Sequence, residues 1–150
     1  DFSTFYGSAV ENLFFQEVFF MSKPQGLVLY YNASAPQEAA RARLVFIRMG
    51  LRVKQITEED LGQAVGSFAG LEVPPPPAAA PVSIEESILV FSGLPGRALD
   101  QTLAALRKAG IPRSVYKAVL TPGNAAWSFY QLYQELCNER QAIEQSNSPD

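Results

Sequence analysis

The chain has 150 residues, 47% hydrophobic and 18% charged, the composition of a folded globular chain of one-domain size. It contains no His, one Cys and two Met, which excludes histidine-dependent triads, histidine metal sites and disulfide frameworks. Its 15 acidic and 12 basic residues give a net charge of −3, and Asp1, Glu11 and Glu17 supply that whole excess, so the chain beyond residue 20 is neutral. A neutral domain holds no electrostatic attraction for nucleic acid or an anionic membrane. No run approaches the ~18 apolar residues of a membrane span. A single Cys without an export signal fits a reducing cytoplasm.

The first twenty residues stand apart. They hold Phe2, Phe5, Phe14, Phe15, Phe19 and Phe20, and Glu11–Gln16 resembles the tobacco etch virus protease site, with Phe14 at the usual Tyr and Glu17 where a small residue normally follows. Residues 1–20 are therefore read as an expression-tag remnant and set aside from the fold. If ordered, such a segment must bury its rings, so Phe14, Phe15, Phe19 and Phe20 are expected to dock on an apolar groove or sheet edge of this domain or a second copy.

Residues 21–146 are expected to form a single α/β domain, with a polar tail at 147–150. Gly26–Asn32 is a short apolar run ending in a turn residue, as a buried strand should be. Ser34 and Gln37 have capping-box spacing with Pro36 in the first turn, which opens a helix over about 34–49. Ala40, Leu44, Ile47 and Leu51 give its inward stripe, and Gly50 its left-handed stop. Arg52–Ile56 reads as a second strand. Thr57 then opens an acidic helix start at Glu58–Asp60, continuing to about residue 69.

Residues 72–86, with Pro74 to Pro77 and Pro81, form a stiff polyproline-like connection. The outline then repeats. Ser87–Phe91 is a strand and Ser92–Gly96 a turn. Leu99, Leu103 and Leu106 mark a helix over about 96–109 that stops at Gly110. Tyr116–Leu120 is the fourth strand, and Phe129, Leu132, Tyr133 and Leu136 line a final helix over about 123–142, with the chain fraying after Ile143. The two βαβ-like halves imply a small four-stranded, mainly parallel sheet flanked by helices, in the order 2-1-3-4, with a ferredoxin-like α+β fold as the alternative.

The stretch Lys117–Trp127, continued by Leu132 and Glu135–Leu136 and preceded by Ala109–Ile111, resembles the signature of an uncharacterised bacterial family, the domain of unknown function thirty-seven eighty-three. Thr121, Pro122, Asn124 and Trp127 match its pattern, while Gly123 stands where Thr is usual. The resemblance covers residues 87–138 and, in outline, 26–140. It implies the fold and brings no activity, cofactor or partner.

Ligands of parallel α/β sheets sit beyond the carboxyl ends of the strands. Those ends carry Asn32 and Ser34, Thr57, Ser92 and Gly93, and Thr121, Gly123 and Asn124, with Trp127 beyond as a cover or stacking surface. All are hydrogen-bonding or stacking groups without an acid or base, and each hydroxyl or amide also suits a helix N-cap. Gly93–Gly96 lacks the residues of a P-loop or dinucleotide fingerprint. Cys137 reads as a small core residue, and Arg41, Arg43, Arg48 and Arg52 as a solvated basic face. Glu58, Glu59 and Asp60 point apart, so no metal site and no cofactor is expected. The lack of a general base favours a non-catalytic module that binds a small anionic ligand at the Thr121–Asn124 turn or a protein partner, as a monomer or weak homodimer. The alternative is an enzyme acting on a phosphorylated or carboxylated metabolite.

Overall fold

A computed structural model describes residues 26–33, 36–78 and 81–146. The tag-like segment with its Phe rings, Ser34 and the 147–150 tail lie outside the described residues.

Four strands form one sheet: β1 (Gly26–Tyr31), β2 (Leu51–Ile56), β3 (Ile88–Ser92) and β4 (Tyr116–Val119), in the order β2-β1-β3-β4. The central strands β1 and β3 are buried on both faces, which is why they read as unbroken apolar runs. Edge strand β2 alternates buried ends with exposed Arg52, Lys54 and Gln55, and edge strand β4 carries Lys117. The exposed polar and charged side chains of β2 discourage unplanned pairing at that edge. β2 runs parallel to β1 and β4 parallel to β3, whereas β1 and β3 pair antiparallel, with Leu29 opposite Val90. The fold is thus α/β with a mixed, mostly parallel sheet, built from two βαβ halves that meet head to tail.

Helices α1 (Pro36–Arg48) and α2 (Gly96–Lys108) cross between the parallel strands of each half. Both pack on the face formed by Val28, Tyr30, Leu89 and Phe91, where Phe46 of α1 and Leu106 of α2 are fully buried. Gly50 and Gly110 each adopt the left-handed conformation that stops these helices, as expected. The inward stripe of α1 differs from expectation. Ala39, Ala42, Val45 and Phe46 face the sheet, while Ala40, Leu44 and Ile47 are exposed, Ile47 at 68%. The helix carries two overlapping apolar stripes, and the one containing Phe46 buries more area and packs edge-on against Tyr30 and Phe91.

The opposite face, Leu27, Leu29, Tyr31, Ile88 and Val90, is covered by α3 (Phe129–Ser146), by residues 57–70 and by the end of the proline-rich connection through Ile84. The expected helix near 58–69 is two short 3-10 turns, Glu58–Asp60 and Val65–Ala69. The chain between them is diverted because Ala64 bridges Ser128, and Val65 and Gly66 donate their N–H groups to the Trp127 and Ala125 carbonyls at 2.8 Å each. The same diversion delays the last helix to Phe129, where the Ser128 hydroxyl caps it by accepting from the Gln131 N–H at 3.1 Å. At its other end α3 runs on to Ser146, beyond the expected fraying point. No helix among the described residues is long and apolar enough to cross a membrane.

Candidate functional site

The antiparallel junction between the halves decides where the strand ends go. The carboxyl ends of β1 and β2 lie at one end of the sheet and those of β3 and β4 at the other. Asn32 and Thr57 are therefore separated from Ser92, Gly93, Thr121, Gly123 and Asn124, and no single crevice collects them.

Asn32, Thr57, Gly93, Thr121 and Asn124 each have local work. Ser87, buried at the start of β3, accepts the Ala33 N–H at 2.9 Å and donates to Asn32 Oδ1 at 3.3 Å, which ties the first half to the second. The Thr57 N–H and hydroxyl donate to the Asp60 carboxylate at 2.9 and 3.0 Å. Gly93 turns the chain in the left-handed region, 3.9 Å from Gly26 by the position a Cβ would occupy. Thr121 and Asn124 cap one another: Asn124 Oδ1 accepts the Thr121 N–H at 2.9 Å, and Thr121 Oγ1 accepts the Asn124 N–H at 3.2 Å. The Thr121 and Asn124 N–H groups are thus engaged inside the turn, and closing it accounts for both side chains. Among the described residues no group of His, Cys, Asp or Glu side chains could hold a metal ion.

A concave surface among the described residues lies along the free edge of β4. A depression of about 750 Å³ wraps around the start of β4 between α2 and α3, and one of about 450 Å³ continues along its end, past Thr121, Gly123, Asn124 and Trp127. Lys117, Leu136 and Glu139 line both, so the two form one groove. Four of the sequence-derived residues therefore do share a surface, although as the rim of a groove centred elsewhere.

That centre is cationic. Arg107 from the last turn of α2, Arg113 from the following loop, Lys117 from β4 and Arg140 from α3 converge on the wider part, with Glu139 and Glu144 on its α3 wall. The Arg140 guanidinium stacks 3.7 Å from the centre of the Tyr116 ring and donates to the Arg113 and Ser114 carbonyls at 2.9 and 3.4 Å. The Lys117 ammonium donates to the Val115 carbonyl at 3.0 Å. Arg140 and Lys117 thus spend these hydrogen bonds on carbonyls rather than carboxylates. Burial, then the charges of Arg140, Arg107 and Arg113, holds the Lys117 ammonium below its ordinary pKa, with Glu38 acting in the opposite sense.

Behind the groove the Tyr116 hydroxyl donates to Cys137 Sγ at 3.4 Å, and the Tyr133 hydroxyl donates to both Glu86 carboxylate oxygens at 2.8 and 2.9 Å. Burial first, then the Cys137 contact, pushes the Tyr116 hydroxyl up to about 12. Burial and the Glu86 hydrogen bond raise Tyr133 as well. Both tyrosine hydroxyls are thus held neutral near pH 7.

The cationic cluster escapes a sequence reading because its members come from separate segments with no periodic charge run. The one local signal is Lys117 itself, a cation set in an otherwise apolar strand.

Residues 87–143 match the model of a family described as a domain of unknown function, DUF3783. The match bears out the resemblance read from Lys117–Trp127, over residues 87–143 of the chain. It spans β3, α2, β4 and α3, the elements that build the groove. No curated protein and no solved structure matches the chain.

Proposed function

We propose that this domain is a non-catalytic binding module whose groove beside β4 takes an anionic ligand. The observation that carries the reading is the convergence of Arg107, Arg113, Lys117 and Arg140 in one concavity. The shift of Lys117 supports it, because an anion there would relieve the repulsion that the three guanidinium groups impose. Among the described residues no hydrogen bond joins Ser114 or Thr121 of the groove to a carboxylate, which favours binding over turnover. The balanced charge beyond residue 20 and the single Cys are in keeping with a bacterial cytoplasmic protein.

A thermal-shift screen with pyrophosphate, nucleotides, phosphorylated sugars and polycarboxylates tests this reading. A ligand of the folded state raises Tm by mass action, and Arg113→Glu should remove the shift. A shift that survives Arg113→Glu, or no shift with any anion, would count against it.

A further inference from the structure

We propose that the ligand of this groove is an extended acidic peptide, added as a strand to the free edge of β4. The inference rests on the reading of the groove as a binding site and names its occupant. Tyr116 and Leu120 donate their N–H groups to β3, to the Ser87 and Phe91 carbonyls at 2.9 Å each. By the alternation of a strand, the N–H and C=O of Lys117 and the N–H of Val119 face away from β3, into the groove. The neighbouring outward carbonyls are already occupied, that of Val115 by the Lys117 ammonium and that of Val119 by Asn124 Nδ2, at 3.0 Å each. What remains is a donor, an acceptor and a donor in series, the pattern that an added strand completes.

The walls suit the two faces of such a strand. Leu103 of α2 stands on one side, and Leu136 and Ile143 of α3 on the other, with Ile143 60% exposed and Val119 itself 47% exposed. Charge gives the partner its chemistry and direction. The four cations gather at the start of β4, where they outnumber Glu139 and Glu144, while toward its end Lys117 alone faces Glu135 and Glu139. An acidic side chain is therefore favoured where the added strand passes the start of β4, and apolar ones beyond it. A second copy fits less well, because β4 carries Lys117 and no acid, and pairing β4 with β4 brings a further cation into the groove.

The test is an amide-resolved NMR titration of the full chain with a synthetic hexapeptide alternating Glu and Val. Three companion probes are the same peptide N-methylated at alternate residues, its Lys-for-Glu counterpart, and pyrophosphate. The proposal expects the Lys117 and Val119 amides to move with the acidic peptide, and N-methylation to weaken binding about tenfold, as for the loss of pairing hydrogen bonds. The Lys peptide should not bind. Val119→Pro, which removes an outward N–H without touching the ladder to β3, should weaken the acidic peptide to the same extent. Binding that ignores both N-methylation and Val119→Pro, or pyrophosphate binding without peptide binding, overturns strand addition and leaves the anion-binding reading standing. Failure of peptide and pyrophosphate alike overturns both. Growth in molecular mass with concentration, lost in Val119→Pro, assigns the edge to a second copy instead.

Discussion

At the scale of single residues, several polar groups at the strand ends hold the fold together, while the cations of the groove come from separate segments of the chain. Ser87 shows the first case. Its buried hydroxyl satisfies the Ala33 N–H and reaches Asn32, joining the end of β1 to the start of β3. Ser87→Ala leaves a donor without its acceptor, and we expect a loss of about 1–3 kcal/mol in urea unfolding; an unchanged midpoint would show that water replaces the hydroxyl at no cost. Arg140 shows the second case. Its stacking on Tyr116 and its two carbonyl contacts need a planar fork of donors, which Lys lacks. Arg140→Lys keeps the charge, yet it should loosen the Arg113–Ser114 loop, seen as faster amide exchange there; retained protection would mean the loop is held by other contacts.

At the scale of elements, the features carried by composition were legible and those carried by choice of face were not. The burial of β1 and β3 on both sides follows from unbroken apolar runs, and the ends of α1 and α2 from Gly50 and Gly110. The inward face of α1 was misread because Leu44 and Ile47 complete a stripe as regular as the one containing Phe46. The 57–70 segment was misread because its helix-like start is overridden by pairing with residues 125–128, a tertiary contact that local propensity does not carry. That pairing is tight. A Cβ at Gly66 would sit 2.8 Å from the Ala125 Cβ and 3.0 Å from the Ala125 carbonyl oxygen. Gly66→Ala should therefore destabilise by about 1–3 kcal/mol as an overpacking change. Gly96→Ala, in the first turn of α2 with nothing within 4 Å, should be neutral or slightly stabilising. Equal effects of the two substitutions would contradict the packing described here.

At the scale of the whole molecule, two βαβ halves are joined so that their strand directions oppose. Hydrophobic periodicity marks a strand without marking its direction, and the proline-rich connection is long enough to deliver β3 either way, so the antiparallel junction was not legible. That one reversal splits the expected ligand end of the sheet and leaves the β4 edge, between α2 and α3, as the place where elements of both layers converge. The stability of the assembled core should also respond to alkali. Burial, then the Glu38 charge, pushes the Tyr30 hydroxyl up to about 12, and Tyr116 reaches about 12 through burial and Cys137. A raised tyrosine pKa contributes stability that is complete below the ordinary value near 10 and is lost as pH rises through about 12. Urea midpoints should hold steady up to about pH 10 and fall above it, less steeply in Tyr116→Phe; a flat profile to pH 12 would contradict the burial of these hydroxyls. The central claim, that the groove beside β4 is an anion site, is tested most directly by following the Lys117 side-chain ammonium during a pyrophosphate titration. The account expects its pKa to rise on binding, with the largest amide shifts at Arg113 and Lys117. An unmoved Lys117, or shifts confined to the Thr121–Asn124 turn, would contradict it.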